Sequence, residues 1–327
     1  MHSDIKKYLS SFELGKAQHF ENMGVFPLFS DINHSPKYLI LKDAIAQQIL
    51  SVNEIDEGGS VPELKVINKG EKLVLLLDGE ELMGAKQNRV LNTSILIEGE
   101  SETVIPVSCT EKGRWSYVSK EFSDSGTVIT PSVRMKKAKS VAHSLENSSE
   151  FRADQGEVWN SIKSISREAN VESETGAMRD VYEQKGGDLE DYLKKFSFVD
   201  GQKGLLTFIG GDVIGFDFVS QDSAFKDLHG KLVKSYAMEA FLGKNKKKVK
   251  PDKKKAKAFI EETFQCKEKK YESVGKGWDF RYEGKNIVGS ALRYRSKVIH
   301  TAFFRADEGD REDKMSGFRS RRRYRTG

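Results

Sequence analysis

The chain alternates between two hydrophobic periods. Residues 64 to 77 and 90 to 108 are rich in Val, Ile and Leu and read as strands. Residues 198 to 220 return to strand, and Lys269 to Arg305 alternate as a strand meander. Helical patterns lie between. Residues 38 to 50, YLILKDAIAQQIL, predict a helix entered from an extended segment, with Ala44, Ile45, Ile49 and Leu50 on one stripe. QGEVWNSIKSISREANV places Val158, Trp159, Ile162 and Ile165 on one helical face. GDLEDYLKKF, residues 223 to 242, and AKAFIEETFQ read as further helices. ITPSVRMKKAKSVAHSLENSS reads as a loop followed by a short helix. The expected class is α+β: β-hairpin and meander sheets with interspersed helices in a single domain.

One pattern occurs three times. GEELMG (79 to 84), GGDVIG (210 to 215) and GKNIVG (284 to 289) share Gly-x-x-apolar-apolar-Gly after an apolar or aromatic run. The first Gly suits the positive φ of a hairpin turn. The second, inside the returning strand, suits a bulge or a close approach by another group. Two copies continue as alternating strands, GFDFV and GSALRYR. The first continues as GAKQNRVLNTS, with amides and charges where apolar residues are expected. Burying such a block without partners costs several kcal/mol, of order ~2–7 per group. It therefore faces either solvent or a source of hydrogen bonds.

Composition narrows the class. The 327 residues are enough for a sizeable core. The longest aliphatic run, LVLLL, is far too short to span a membrane, and the first residues lack the apolar stretch of a signal peptide. Two cysteines, Cys109 and Cys266, give no disulfide framework and no metal-ligand spacing, so a reducing, cytoplasmic setting is expected. The net charge of +5 conceals two basic segments. Residues 244 to 257 carry +8 and residues 319 to 325 carry +5, which leaves −8 for the rest. The body is acidic, unlike a dedicated DNA-binding face. The Lys-rich segment reads as insertion-like, and residues 306 to 327 as a disordered basic tail behind a domain spanning 1 to 305. Both segments offer only weak, salt-sensitive nucleic-acid contact.

Two polar blocks concentrate the candidate chemistry. The first holds Glu81, Gln87, Asn88, Arg89 and Asn92; the second, IPVSCTEKGRWSY, holds Cys109, Glu111, Arg114 and Trp115. A hairpin between them would bring them together. Arg89 and Arg114 suit a phosphate or pyrophosphate through their forked donors. Gln87 and Asn88 suit a base edge or sugar hydroxyl, and Trp115 offers a stacking face. Glu111 is the acid–base candidate. Cys109 is a candidate nucleophile, although a Cys in a Val/Ile strand is more often a small buried hydrophobe. The competing reading pairs Arg89 and Arg114 with Glu81 and Glu111 in an ion-pair network. His300, among alternating apolar residues, reads as a satisfied sheet residue. No Walker A, GxGxxG, HExxH or Cys/His cluster is present, so no metal or cofactor is implied.

LDGEELMGAKQNRVLNTSILI followed by IPVSCTEKGRWSY closely resembles the first family of ARG-and-Rhodanese-Phosphatase-superfamily-associated protein domains, where ARG denotes ADP-ribosylglycohydrolase. VWNSIKSISREANVESETGAMRDVYE, GLLTFIGGDVIGFDFV, LVKSYAMEAF and IVGSALRYRSKVIHTAFF extend the resemblance in order over residues 10 to 305. It implies a setting in NAD or ADP-ribose metabolism and ADP-ribosylglycohydrolase-linked partners, but carries no catalytic assignment. The sequence thus supports binding or processing of an ADP-ribose-like or other phosphorylated nucleotide. The alternatives are a non-catalytic module that docks a protein or RNA through the basic segments, and a purely structural domain.

Overall fold

The computed structural model describes residues 1–33, 36–56, 58, 62–243, 245 and 247–306. The expected disordered tail and the 319 to 325 arginines lie outside them, as do two of the lysines in the 244 to 257 segment. Three sheets carry the fold. A nine-stranded antiparallel sheet joins Glu13–Leu14, Gln18–Phe20 and Met23–Phe29 to the hairpin Gly204–Ile209/Asp212–Val219. It continues through Lys297–Arg305, Ile287–Tyr294, Trp278–Glu283 and Lys267–Glu272. A six-stranded sheet runs Phe122–Val128, Glu80–Gly84, Arg89–Leu91, Ser101–Cys109, Glu63–Asn68, Leu50–Asn53. Between Ile95–Ile97 and Tyr38–Ile40 lies Leu73–Leu76, making a three-stranded sheet. Helices are interspersed among largely antiparallel strands, an α+β arrangement.

Alternation explains how these layers pack. One side of the six- and three-stranded sheets encloses Leu64, Val66, Val74, Leu76, Leu82 and Ile105. Their other side, with Val90, Leu75 and Leu77, joins a central core against helices Pro131–Ser148, Gln155–Glu168 and Asp222–Leu242. The nine-stranded sheet closes that core with Val25, Leu205 and Phe304. Its far face packs Phe208, Phe216 and Phe303 under helices Ser3–Ser10 and Lys253–Thr263.

Several sequence expectations change in detail. Residues 131 to 148 form one long helix, not a short one. Its buried face includes Arg134 and Lys137 beside Val133, Ala138, Val141 and Leu145, and those charges mask the apolar stripe. Residues 38 to 50 split into a strand, a six-residue helix and the start of another strand. GGDVIG and GKNIVG are hairpins. GEELMG is not: Leu73–Leu76 and Glu80–Gly84 belong to different sheets, and Gly79, at φ +84°, turns the chain from one to the other. A Cβ there would also lie 2.9 Å from Arg134 Cδ. The Lys-rich segment ends in the helix Lys253–Thr263, whose Ala256, Phe259 and Ile260 are buried and whose first N–H groups are capped by Asp252. Among the described residues no helix is long and apolar enough to cross a membrane.

Candidate functional site

The polar block proves to be a hairpin connection. Strand Glu80–Gly84 returns as Arg89–Leu91, with Glu81 opposite Val90 and Leu82 opposite Arg89. Residues 85 to 88 form the turn, and Ala85 takes a positive φ of 41°. The second block arrives on the next strand, where Cys109 lies opposite Arg89. The two blocks therefore meet.

Arg114 fastens the turn. Its Nη1 donates to Ala85 O at 2.7 Å and Ser116 O at 2.9 Å; its Nη2 donates to Glu111 Oε2 at 2.6 Å and Asn88 Oδ1 at 3.2 Å. Asn88 N–H donates to the same Glu111 oxygen at 3.2 Å, and Asn88 Oδ1 accepts from Gly84 N–H. Burial would push the Glu111 carboxyl up, but hydrogen bonds from Arg114, Thr175 and Asn88 N–H hold it below its ordinary range. Arg114 and Glu111 thus form the ion pair of the structural reading. A groove of about 460 Å³ runs past Asn88, Glu111 and Arg114 to Ser123, Arg179 and Asp180.

Arg89 lies on the opposite face, in line with Leu82 and Cys109, and is fully buried. Its Nη1 donates to Gln87 Oε1 at 3.0 Å and Gln87 O at 3.3 Å. Its Nη2 stands 3.8 Å from Glu54 Oε1. Among the described residues, Arg89 Nε and Nη2 and both Glu54 carboxylate oxygens are buried without a hydrogen-bond partner. The Trp115 ring centroid is 5.7 Å from Arg89 Cζ. Lys86 Nζ sits 5.4 Å from Trp115 and 5.1 Å from Tyr117, and both aromatics remain about half exposed, at 47% and 50%. Burial pushes the Cys109 thiol up, against the opposing pull of Arg89. Gln155 locks the Cys109 backbone, accepting from its N–H at 2.7 Å and donating to its C=O at 2.9 Å.

Glu81 and Asn92 stand apart from this pair. Thr110 Oγ1 donates to the Glu81 carboxylate at 2.7 Å and Thr127 Oγ1 at 3.1 Å. Burial pushes its pKa up to about 7. Asn92 Oδ1 accepts from Ser108, and its Nδ2 donates to Phe151 O. Of the nine sequence candidates, Arg89, Gln87, Cys109 and Trp115 share one face. Asn88, Glu111 and Arg114 form the clamp, while Glu81 and Asn92 are bound elsewhere.

The sequence reading missed Glu54, which follows the strand Leu50–Asn53 and belongs to no motif. It also missed a buried network in the central layer. Arg134 Nη1 and Nη2 donate to Asp217 at 2.9 and 2.6 Å, and Arg134 Nε donates to Asp78 at 3.3 Å. Lys137 pairs with Asp78, and Tyr236 OH donates to Asp217 at 2.9 Å. His300 bonds Ser94 Oγ through Nδ1 at 2.8 Å and lies 3.4 Å from Asp217 through Nε2. The Ser–His–Asp order is present, but the three residues are 5%, 1% and 0% exposed, so no substrate reaches the serine. The visible signals were Asp217 between Phe216 and Phe218, and Arg134 and Lys137 one helical turn apart.

The family model of the ARG and Rhodanese-Phosphatase-superfamily-associated Protein domain matches residues 11–304, and the chain belongs to that family. The family's name records an association with those superfamilies. No match was found among curated proteins or among solved structures.

Proposed function

We propose that this family member binds an ADP-ribose-like or other phosphorylated nucleotide, with Arg89 and Glu54 reading a polar edge of the ligand and Trp115 covering its flat face. One observation carries the reading. Of nine buried side-chain polar atoms without a partner among the described residues, four belong to Arg89 and Glu54. Each such atom costs about 1–3 kcal/mol. Arg89 is fully buried and Glu54 is 8% exposed, so a ligand relieves that penalty by displacing Trp115 from beside Arg89. Arg89 supplies two adjacent donors and Glu54 two acceptors. That combination suits a base or carboxamide, which presents acceptors and donors side by side, better than a bare phosphate facing a carboxylate. Lys86, beside Trp115 and Tyr117, adds positive charge on the exposed side of Trp115, where phosphates would lie.

The electrostatics argue against a thiolate nucleophile and against Glu111 as a proton donor. Glu111 is held ionised by its hydrogen bonds, and Cys109 is held as a thiol by burial. Neither is poised as acid or nucleophile at neutral pH. ADP-ribosylglycohydrolase-linked proteins are the partner class to which the family's name points.

Trp115 is the residue to test, because its exposure lets Trp115→Ala fold. Calorimetry with ADP-ribose, NAD and nucleoside diphosphates should give saturable binding with a Kd below ~1 mM for at least one ligand, weakened at least ~10-fold in Trp115→Ala. Absence of saturable binding, or unchanged affinity in Trp115→Ala, would overturn the proposal.

A further inference from the structure

A second cavity, of about 320 Å³, opens between helix Pro131–Ser148 and the paired strands Lys267–Glu272 and Trp278–Glu283. Lys139, Lys267, Lys269 and Arg281 face it, against Glu146 and Glu283. Lys267, Lys269 and Arg281 alone outnumber the two carboxylates, in a chain whose body is acidic overall.

The arrangement is built from the sheet upward. Lys267 lies opposite Glu283, and Lys269 opposite Arg281, across these two strands. Like charges directly opposite on one face repel unless something negative sits between them. Glu146 supplies part of that charge, reaching from the helix to Lys269 at 2.5 Å. This pair is exposed, at 53% and 35%, so solvent screens it and a stronger anion competes with it readily.

Arg281 is different in kind. Its side chain is 5% exposed and rigidly held: Nε donates to Asp279 Oδ1 at 2.6 Å, and Nη2 to Asp279 Oδ2 at 2.9 Å and Thr93 Oγ1 at 2.7 Å. The Phe151 ring lies 5.6 Å from Cζ. Nη1 has no hydrogen bond to any described residue, yet it is not among the buried unpaired atoms, so it keeps contact with solvent. A pre-positioned donor thus lines a cavity rimmed by lysines. Asp279 offsets the Arg281 charge, leaving directed hydrogen bonding to the arginine and most of the attraction to the lysines.

We infer that this cavity is a binding site for a small phosphate-bearing anion, seated on Arg281 Nη1 and bridging Lys267 and Lys269. Its volume is at the lower end for ligand pockets, which fits a phosphate or a phosphate with a small organic group and excludes a dinucleotide. The site is separate from Arg89 and Trp115 and does not depend on the nucleotide reading.

The experiment is calorimetry on the full chain with inorganic phosphate, pyrophosphate and ribose 5-phosphate at constant ionic strength. Saturable binding with a Kd below ~1 mM is expected for at least one. Lys267→Ala with Lys269→Ala should weaken it at least ~10-fold, while Lys253→Ala with Lys254→Ala, an equal charge change on an exposed helix start, should alter it less than ~2-fold. Glu146→Gln should tighten binding by releasing Lys269, a gain that a misfolded variant cannot mimic. Trp115→Ala should leave the site intact. No saturable binding, equal losses in the two double variants, or weaker binding in Glu146→Gln would overturn the inference.

Discussion

Arg134 grips both carboxylate oxygens of Asp217 and, through Nε, reaches Asp78, so one buried side chain ties the nine-stranded sheet to the turn that opens strand Glu80–Gly84. Burial would raise the Asp217 carboxyl, but Arg134 and His300 hold it well below the usual range. Its stabilising contribution is therefore full above the unfolded carboxylate value and is lost only as pH falls below it. Breaking such a pair leaves a charge buried without compensation. Asp217→Asn should cost about 3–5 kcal/mol. Tyr236→Phe, which removes one hydrogen bond to the same carboxylate, should cost about 2 kcal/mol. Urea midpoints with unchanged slopes would check both values. Equal effects would mean that the arginine bond adds nothing beyond the tyrosine's.

Arg89 and Glu54 present the opposite case, a buried ion pair held at 3.8 Å with no hydrogen bond between its members. Replacing both by apolar residues of similar size removes four unpaired atoms at once. Arg89→Met with Glu54→Leu should therefore fold with equal or greater stability, while Glu54→Leu alone should destabilise by about 3–5 kcal/mol. The double variant should also lose nucleotide binding, separating stability from function. Urea unfolding and calorimetry on the same preparations would decide. A double variant less stable than either single one would show that the pair is structural.

Glu81 makes the pH dependence readable. Burial raises its pKa from 4.5 to about 7, so the fold favours the protonated form. The resulting stability is full below about pH 4.5 and disappears as pH rises toward about 7. Glu81→Gln, neutral at every pH, should match the native chain near pH 4 and exceed it near pH 8, by on the order of 3 kcal/mol. Comparing urea unfolding of the two chains at these pH values cancels the other titrating groups. A constant difference across the range would contradict the assignment.

The periodic parts of the fold were legible in the sequence because their burial follows one period. Val158, Ile162 and Ile165 read as a helix face and are one. The alternating strands of Trp278 to Arg305 read as a meander and are one. The helix at 131 to 148 outruns its apolar pattern because Arg134 and Lys137 sit where apolar residues mark a core face. Arg134's partners, Asp217 and Asp78, are 83 and 56 residues away, and Lys137's partner Asp78 is 59 away; no local pattern reveals such pairing. At the candidate site, the meeting of the two polar blocks followed from chain path. Their division between two faces depended on strand register, which moves every side chain across the sheet with a shift of one residue. Glu54 was invisible because a lone acid after a short strand carries no spacing signal.

The glycines repeated in GGDVIG and GKNIVG are tied together by one aromatic residue. A Cβ on Gly289 would lie 2.3 Å from Phe303 Cδ1, and one on Gly215 would lie 2.3 Å from Phe303 O. Both therefore permit a close approach to strand Lys297–Arg305, one to a ring and the other to backbone. Each Ala substitution should destabilise by about 1–3 kcal/mol or more, the usual cost of overpacking. The remedies differ. Phe303→Leu removes the ring edge, so it should recover part of the loss in Gly289→Ala. It cannot remove a carbonyl oxygen, so Gly215→Ala should gain nothing from it. A double-mutant cycle by urea unfolding would yield a favourable coupling for the 289/303 pair and none for the 215/303 pair. Equal coupling in both would mean that the sheet relaxes as a whole and that the close approach to the ring is not what requires glycine at 289.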